Sequence, residues 1–154
     1  MIQGTIIGIL VILYILAKIA HGFKQGVYAE GHGVLSLLVT GILYTLLRDT
    51  LIKDWELNQA IISFIIAYYV IAFAAKLSLF NLKYRADFSV TTSDSIFGAL
   101  LGFVTGFINV FVALGAVYVW AYMDIAIREI VNIMSGSIIW YLFVNNPIIL
   151  VLTN

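Results

Sequence analysis

Residues Asp94–Tyr122 read DSIFGALLGFVTGFINVFVALGAVYVWAY, a long apolar run in which glycine recurs at every fourth position. Gly98, Gly102 and Gly106 would lie on one face of a helix. In water a glycine inside a helix costs about 1 kcal/mol relative to alanine, so three in register need another explanation. Between membrane helices, a glycine face allows two backbones to approach closely. The stretch therefore predicts a membrane-spanning helix that packs against another helix.

The composition of the whole chain is typical of an integral membrane protein. Of its 154 residues, 63% are hydrophobic and 10% are charged, and the mean hydropathy is +1.08. A soluble domain of this length could not bury so much apolar surface. Eight basic residues balance eight acidic ones, so the charge gives no indication of nucleic-acid binding. The absence of cysteine excludes disulfides, thiolate metal ligands and cysteine nucleophiles.

Four stretches are apolar and long enough to cross a bilayer, or nearly so, given that a span takes about 20 helical residues. The first lacks the cleavage site of a signal peptide, so we expect it to be retained. Polar residues at 30–33 interrupt the second, which is predicted to begin as a broken or re-entrant piece. We expect a single membrane domain over residues 1–154, with spans at about 2–20, 27–47, 59–80 and 95–122.

The tail at 124–152 is expected to lie in the membrane interface. Its first part mixes apolar and charged residues in a pattern typical of an amphipathic helix. The run SIIWYLFV at 137–144 is too short to span and predicts a short interfacial or re-entrant helix, with Trp140 and Tyr141 at the headgroups. The predicted fold class is an all-α membrane protein with four transmembrane helices and a C-terminal amphipathic, interfacial segment.

Lysine and arginine near the span ends determine the expected orientation, because cytoplasmic loops carry an excess of them. Five such residues fall on one side of the membrane and three on the other. The side with five is expected to be cytoplasmic, with both termini outside. The five are Lys18, Lys24, Lys76, Lys83 and Arg85, and the three are Arg48, Lys53 and Arg128.

Two separate elements resemble those of a known family. Residues 22–26 read GFKQG, and Glu30 follows four residues later. Asp94 is followed at four-residue intervals by the three glycines of the fourth span. Together they resemble the colicin V production proteins, with their GF-x-x-G-x-x-x-E and D-x-x-x-G-x-x-x-G-x-x-x-G elements. One departure is Ser95, where many family members carry a basic residue.

The resemblance implies a four-helix, multi-pass protein of the bacterial cytoplasmic (inner) membrane. It also implies a part in the production or export of the bacteriocin colicin V, a peptide toxin, and in envelope integrity. It implies no chemistry.

Glu30 is the first candidate functional residue, because a carboxylate within an apolar chain is costly unless it has a role. One interpretation is a proton- or cation-responsive group, or an ion-pair partner of Lys18 or Lys24. The other is an interfacial carboxylate stabilised by a helix dipole. His21 and His32 bracket Glu30, but their separation matches no helical metal-ligand spacing, so neither a metal nor another cofactor is expected.

Two further polar residues are candidates. Asn109 lies mid-helix beside the glycine face and is expected to hydrogen bond to another helix rather than to line a pore. Asp94 is near the start of the fourth span, where several residues could cap the helix, namely Thr91, Thr92, Ser93 and Asp94 itself. The glycines expected to pack helices together are Gly22, Gly26, Gly98, Gly102 and Gly106.

The sequence contains no nucleophile elbow, no H-E-x-x-H element and no phosphate loop, so no enzyme and no catalytic residue is expected. Two functions remain open. One is a scaffold or accessory factor in the lipid bilayer that self-associates or binds another membrane protein. The other is a small ion- or proton-conducting channel or transporter that uses Glu30 beside Asn109.

Overall fold

The structure, a computed structural model, describes residues 2–86, 90–123, 129 and 138–153. Four of its helices are long and apolar enough to cross a membrane. The prediction of an all-α membrane protein is therefore confirmed. The helices are α1 (Ile2–Gln25), α2 (Val27–Leu47), α3 (Leu57–Ala86), α4 (Thr92–Met123), α5 (Ile138–Val144) and α6 (Pro147–Thr153), with a π-helical segment at Arg48–Ile52.

A single residue, Gly26, connects α1 to α2. Its φ of +79° lies in the left-handed region that glycine adopts without strain. Its N–H donates to the carbonyl of Gly22 at 2.8 Å, a hydrogen bond that closes the last turn of α1. Because the helix continues to Gln25, it extends beyond the predicted end of the span at residue 20.

The prediction of a broken start for α2 is wrong, because the helix is continuous from Val27 to Leu47. Glu30 is tolerated there because Lys18 and His21 pair with it. Gly33 is buried against the side chain of Thr105 on α4, where a larger residue would overlap it. Glu30 and Gly33, which lower the hydropathy at the start of α2, thus contact residues of the neighbouring helices.

The helix α4 lies at the centre of the bundle and contacts the other three long helices, α1 most extensively. Gly22 lies against Gly98 and Ile15 lies near Gly106, so α1 and α4 run antiparallel. On its other sides α4 meets α2 and α3, which also pack against each other. Buried apolar side chains fill these contacts in two clusters, one around Leu114 and one around Tyr68.

The first turn of α4 is capped by a reciprocal pair. The Asp94 N–H donates to the Thr91 hydroxyl oxygen at 3.2 Å, and the Thr91 N–H donates to Asp94 Oδ2 at 3.2 Å. The Thr91 hydroxyl also donates to Asp94 Oδ2 at 2.8 Å. Of the four candidate caps, Thr91 precedes the helix, and Asp94 lies inside the first turn, where the helix dipole favours a carboxylate.

The short helices α5 and α6 pack on the bundle. α5, the helix expected at 137–144, contacts α1 and α4, and α6 contacts α3 and α4. Between them Asn146 is fully buried: its side-chain amide donates to the Phe111 carbonyl at 2.8 Å and accepts from the Ile148 N–H at 3.0 Å. The amphipathic helix predicted from residue 124 lies outside the described residues, Glu129 excepted.

Candidate functional site

The Glu30 carboxylate is the centre of a buried ionic cluster between α1 and α2. It is fully buried, and Lys18 Nζ lies 3.2 Å from Oε2 and 3.3 Å from Oε1. The ring nitrogen Nδ1 of His21 lies 2.8 Å from Oε1. With the carboxylate ionised, the His21 ring donates from Nδ1. Of the two cationic partners expected for Glu30, the structure therefore places Lys18 beside it.

Close backbone approach brings this cluster together. A Cβ added to Gly22 would lie 3.2 Å from Glu30 Cγ, so the glycine leaves room for the carboxylate. On the other side, the buried Thr105 hydroxyl donates to the Glu30 backbone carbonyl at 2.9 Å. Residues from α1, α2 and α4 thus hold Glu30 in position.

The three side chains of the cluster differ in their exposure to the surface. The Lys18 side chain is 23% exposed and that of His21 is 54% exposed, whereas Glu30 has no exposed surface. A buried charge in a membrane bundle requires a partner, because the surroundings do not solvate it. Lys18 neutralises the carboxylate, His21 forms a hydrogen bond with it, and both side chains extend from it to the surface. The arrangement can either tie two helices together or pass a proton between imidazole and carboxylate.

The two histidines occupy different environments. His21 contacts Glu30, while His32 lies on α2 with its Nδ1 buried and without a hydrogen-bond partner among the described residues. Within that part of the chain, no group of three or more histidine, cysteine or carboxylate residues is placed to hold a metal ion.

All of the predicted packing glycines lie at the contact between α1 and α4, within one chain. A Cβ on Gly22 or Gly98 would overlap the backbone of the opposite helix, and a Cβ on Gly102 would overlap the Lys18 carbonyl. Gly106 has more room, since its added Cβ would lie 3.4 Å from Ile15 Cγ1. Gly26 forms the turn between α1 and α2, and its backbone lies against Gly98.

Asn109 joins three helices through its side-chain amide. It accepts a hydrogen bond from the Tyr68 hydroxyl of α3 at 2.9 Å and donates to the Tyr14 hydroxyl of α1 at 2.8 Å. Both contacts are interhelical, which is the role expected from its position beside the glycine face. Asp94, by contrast, hydrogen bonds within its own helix start.

Sequence reasoning missed the polar character of the buried face of α2. Its buried residues are Glu30, Gly33, Ser36 and Thr40, while many of its apolar residues point outward. The Ser36 hydroxyl donates to the His32 carbonyl, but the fully buried Thr40 hydroxyl has no partner among the described residues. The spacing of three or four residues between these positions was the available signal, because it places them on one side of a helix.

No protein-family model, curated protein or solved structure matches this chain.

Proposed function

We propose that this chain is a membrane scaffold or accessory factor of the colicin V production type, acting in toxin production or export and envelope homeostasis. The observation that carries the proposal is the backbone contact between Gly98 and Gly22, because it involves both elements on which the resemblance rests. The two glycines, Gly22 and Gly98, are 76 residues apart in the sequence and meet in one backbone contact. No catalytic step is part of the proposal.

Because the glycine face is occupied inside the chain, the proposed partner docks elsewhere. The outward surface of α3 is apolar, with Ile66, Val70 and Phe73 more than half exposed. In the bilayer this surface faces lipid, a second copy of the chain or another membrane protein. Self-association or binding of a membrane protein is what a scaffold requires of such a surface.

The test is complementation of toxin export. A bacterium that makes colicin V but lacks its own production protein is supplied with this chain, and the secreted toxin is measured by growth inhibition. We expect the parent chain and Gly106→Ala to restore secretion and Gly98→Leu to fail. If the parent chain reaches the membrane and restores nothing, the toxin role is rejected.

We further propose the bacterial cytoplasmic membrane as the location, with both termini outside. The basic residues near Lys24 support this orientation, although Lys18 contributes less than its charge suggests because Glu30 neutralises it. The cysteine-free chain makes the test direct. Lys24→Cys and Asp54→Cys lie at opposite ends of the spans, and we expect an impermeant thiol reagent added outside to label only the second.

A second candidate function is proton or cation conduction. The specific observation in its favour is the polar buried face of α2, which continues from Glu30 through Ser36 to Thr40. The Thr40 hydroxyl has no hydrogen-bond partner within the described part of the chain. An unpartnered buried hydroxyl costs about 1–3 kcal/mol, so a water or ion at this position would be stabilised. A conducting path requires such a series of polar groups.

Flux through liposomes distinguishes the two functions. If the protein conducts, Glu30→Gln and Thr40→Val reduce proton or cation flux, while Thr45→Val on the exposed side of α2 leaves it unchanged. If the folded and inserted parent protein shows no flux above that of empty vesicles, conduction is rejected and the scaffold function stands alone.

A further inference from the structure

Three adjoining hollows form one continuous surface along the outer side of α2. The first, which we call the polar hollow, has a volume of about 220 Å³ and is lined by Tyr44, Thr45, Lys53 and Trp55, among others. The other two together form what we call the apolar groove, of about 390 and 230 Å³. Thr45 lines both the polar hollow and the groove, so the two adjoin at this residue.

The polar hollow lies at the boundary between the membrane and water. It sits between the end of the α2 span at Leu47 and the start of the α3 span at Leu57. The aromatic residues Tyr44 and Trp55 line it, as is usual at the level of lipid headgroups. Lys53 supplies a cation at the same level.

The apolar groove lies within the span. It is open because Gly41 has no side chain, and a Cβ added there would meet nothing within 4 Å. Leu37, Phe64 and Ile148 line its deeper part, so that α2, α3 and α6 each contribute a wall. The lining is almost entirely apolar, which fits a hydrocarbon chain.

The charges around the polar hollow indicate which headgroup fits. Lys53 lines the hollow and can meet a phosphate. Two acidic residues, Asp54 and Glu56, are nevertheless exposed beside Lys53. This balance disfavours a headgroup with net negative charge and favours one that carries both a phosphate and an amine.

We propose that this surface is a binding site for one phosphatidylethanolamine molecule. The phosphate lies at Lys53, the amine faces Asp54 and Glu56, and one acyl chain follows the apolar groove past Gly41. The site is separate from Glu30 and from the glycine contact between α1 and α4. Because α6 supplies part of the wall, bound lipid also stabilises the docked position of α6.

The test measures lipid retained by the purified protein. The protein is equilibrated in mixed micelles that contain equal amounts of phosphatidylethanolamine and phosphatidylglycerol, and bound lipid is counted by native mass spectrometry. Gly41→Trp fills the groove, with Ala17→Trp on the exposed side of α1 as its control. Lys53→Ala removes the cation, with Lys24→Ala at the other end of the bundle as its control.

We expect the parent protein to retain one phosphatidylethanolamine. Gly41→Trp abolishes retention, and Lys53→Ala lowers the affinity about two- to fivefold, as expected for the loss of one exposed ion pair. Both controls bind as the parent does. Three results would overturn the proposal: no retained lipid, preferential retention of phosphatidylglycerol, or an equal loss in the control variants. Thermal unfolding of each variant establishes that it is folded.

Discussion

Gly22 of α1 and Gly98 of α4 lie backbone against backbone, since a Cβ added to either would overlap the carbonyl oxygen of the other. Neither residue can therefore gain a side chain unless the two helices separate. This contact fixes the distance between α1 and α4 and brings Glu30 under the end of α1, where Lys18 and His21 reach it.

Gly98→Ala should destabilise the bundle much more than Gly106→Ala. At Gly98 the added methyl group overlaps backbone atoms, so the helices must move apart at a cost of about 1–3 kcal/mol. At Gly106 the nearest atom lies at 3.4 Å and belongs to the Ile15 side chain, which can shift. Equilibrium unfolding in detergent measures both. Equal losses for the two variants would contradict the backbone contact.

Lys18→Met should cost more stability than Glu30→Gln. Without Lys18 the carboxylate remains fully buried with His21 alone, and breaking a buried pair in this way costs about 3–5 kcal/mol. Without the Glu30 charge, Lys18 can still reach the surface, since its side chain is 23% exposed. The same unfolding measurement tests this order.

The double variant, which combines Lys18→Met with Glu30→Gln, is the control for the two single variants. It should be more stable than Lys18→Met alone, because neutralising the carboxylate removes the unpaired buried charge. A double variant that loses the sum of the two single effects would show that the cluster contributes nothing as a pair.

Tyr68→Phe should weaken the bundle by about 0.6 kcal/mol, the average measured for hydrogen bonds between membrane helices, and by no more than about 1.7 kcal/mol. The change removes the donor to Asn109 and leaves the buried ring in place. Tyr69→Phe is the matched control, because Tyr69 is 51% exposed. If both variants unfold alike, the interhelical hydrogen bond makes no measurable contribution.

Asn146→Ala should release α6 from the bundle. It removes the cap of α6 and leaves the Phe111 carbonyl without its side-chain donor. Cysteines introduced at Trp55 and Leu152, which line the same hollow, can be joined by a thiol cross-linker. A cap worth about 1 kcal/mol shifts the docking equilibrium of α6 about fivefold towards the released state, so we expect cross-linking to fall by up to about fivefold. The exposed Asn145→Ala should cross-link as the parent does.

The sequence predicted the parts of the fold that follow from hydropathy and helix spacing. Four spans, the start of α4 near Asp94 and the glycine face are all local patterns within one helix. The sequence could not identify the partner of that face, because packing between α1 and α4 depends on contacts across the whole chain. It also predicted a broken α2, because Glu30 lowers the local hydropathy. Hydropathy along the chain does not show that Lys18, twelve residues away, neutralises this carboxylate.

The sequence identified individual residues of the candidate site but not the contacts between them. Glu30 and Asn109 stand out as polar residues in apolar surroundings. The burial of Ser36 and Thr40 was harder to predict, because only the structure shows which side of α2 faces inward. The docking of α6 depends on the hydrogen bond from Asn146 to the Phe111 carbonyl. Every residue has a backbone carbonyl, so the sequence does not indicate which one accepts this bond.

The largest helix contact joins α1 to α4, the first and the last of the four long helices. A ribosome delivers α1 to the bilayer while the glycine face of α4 has not yet been translated. A nascent chain that stops after α3 would lack the backbone partner of Gly22 and the Thr105 hydroxyl that binds the Glu30 carbonyl. Arrival of α4 is therefore the step that completes the packing of the four long helices, before α5 and α6 dock on them.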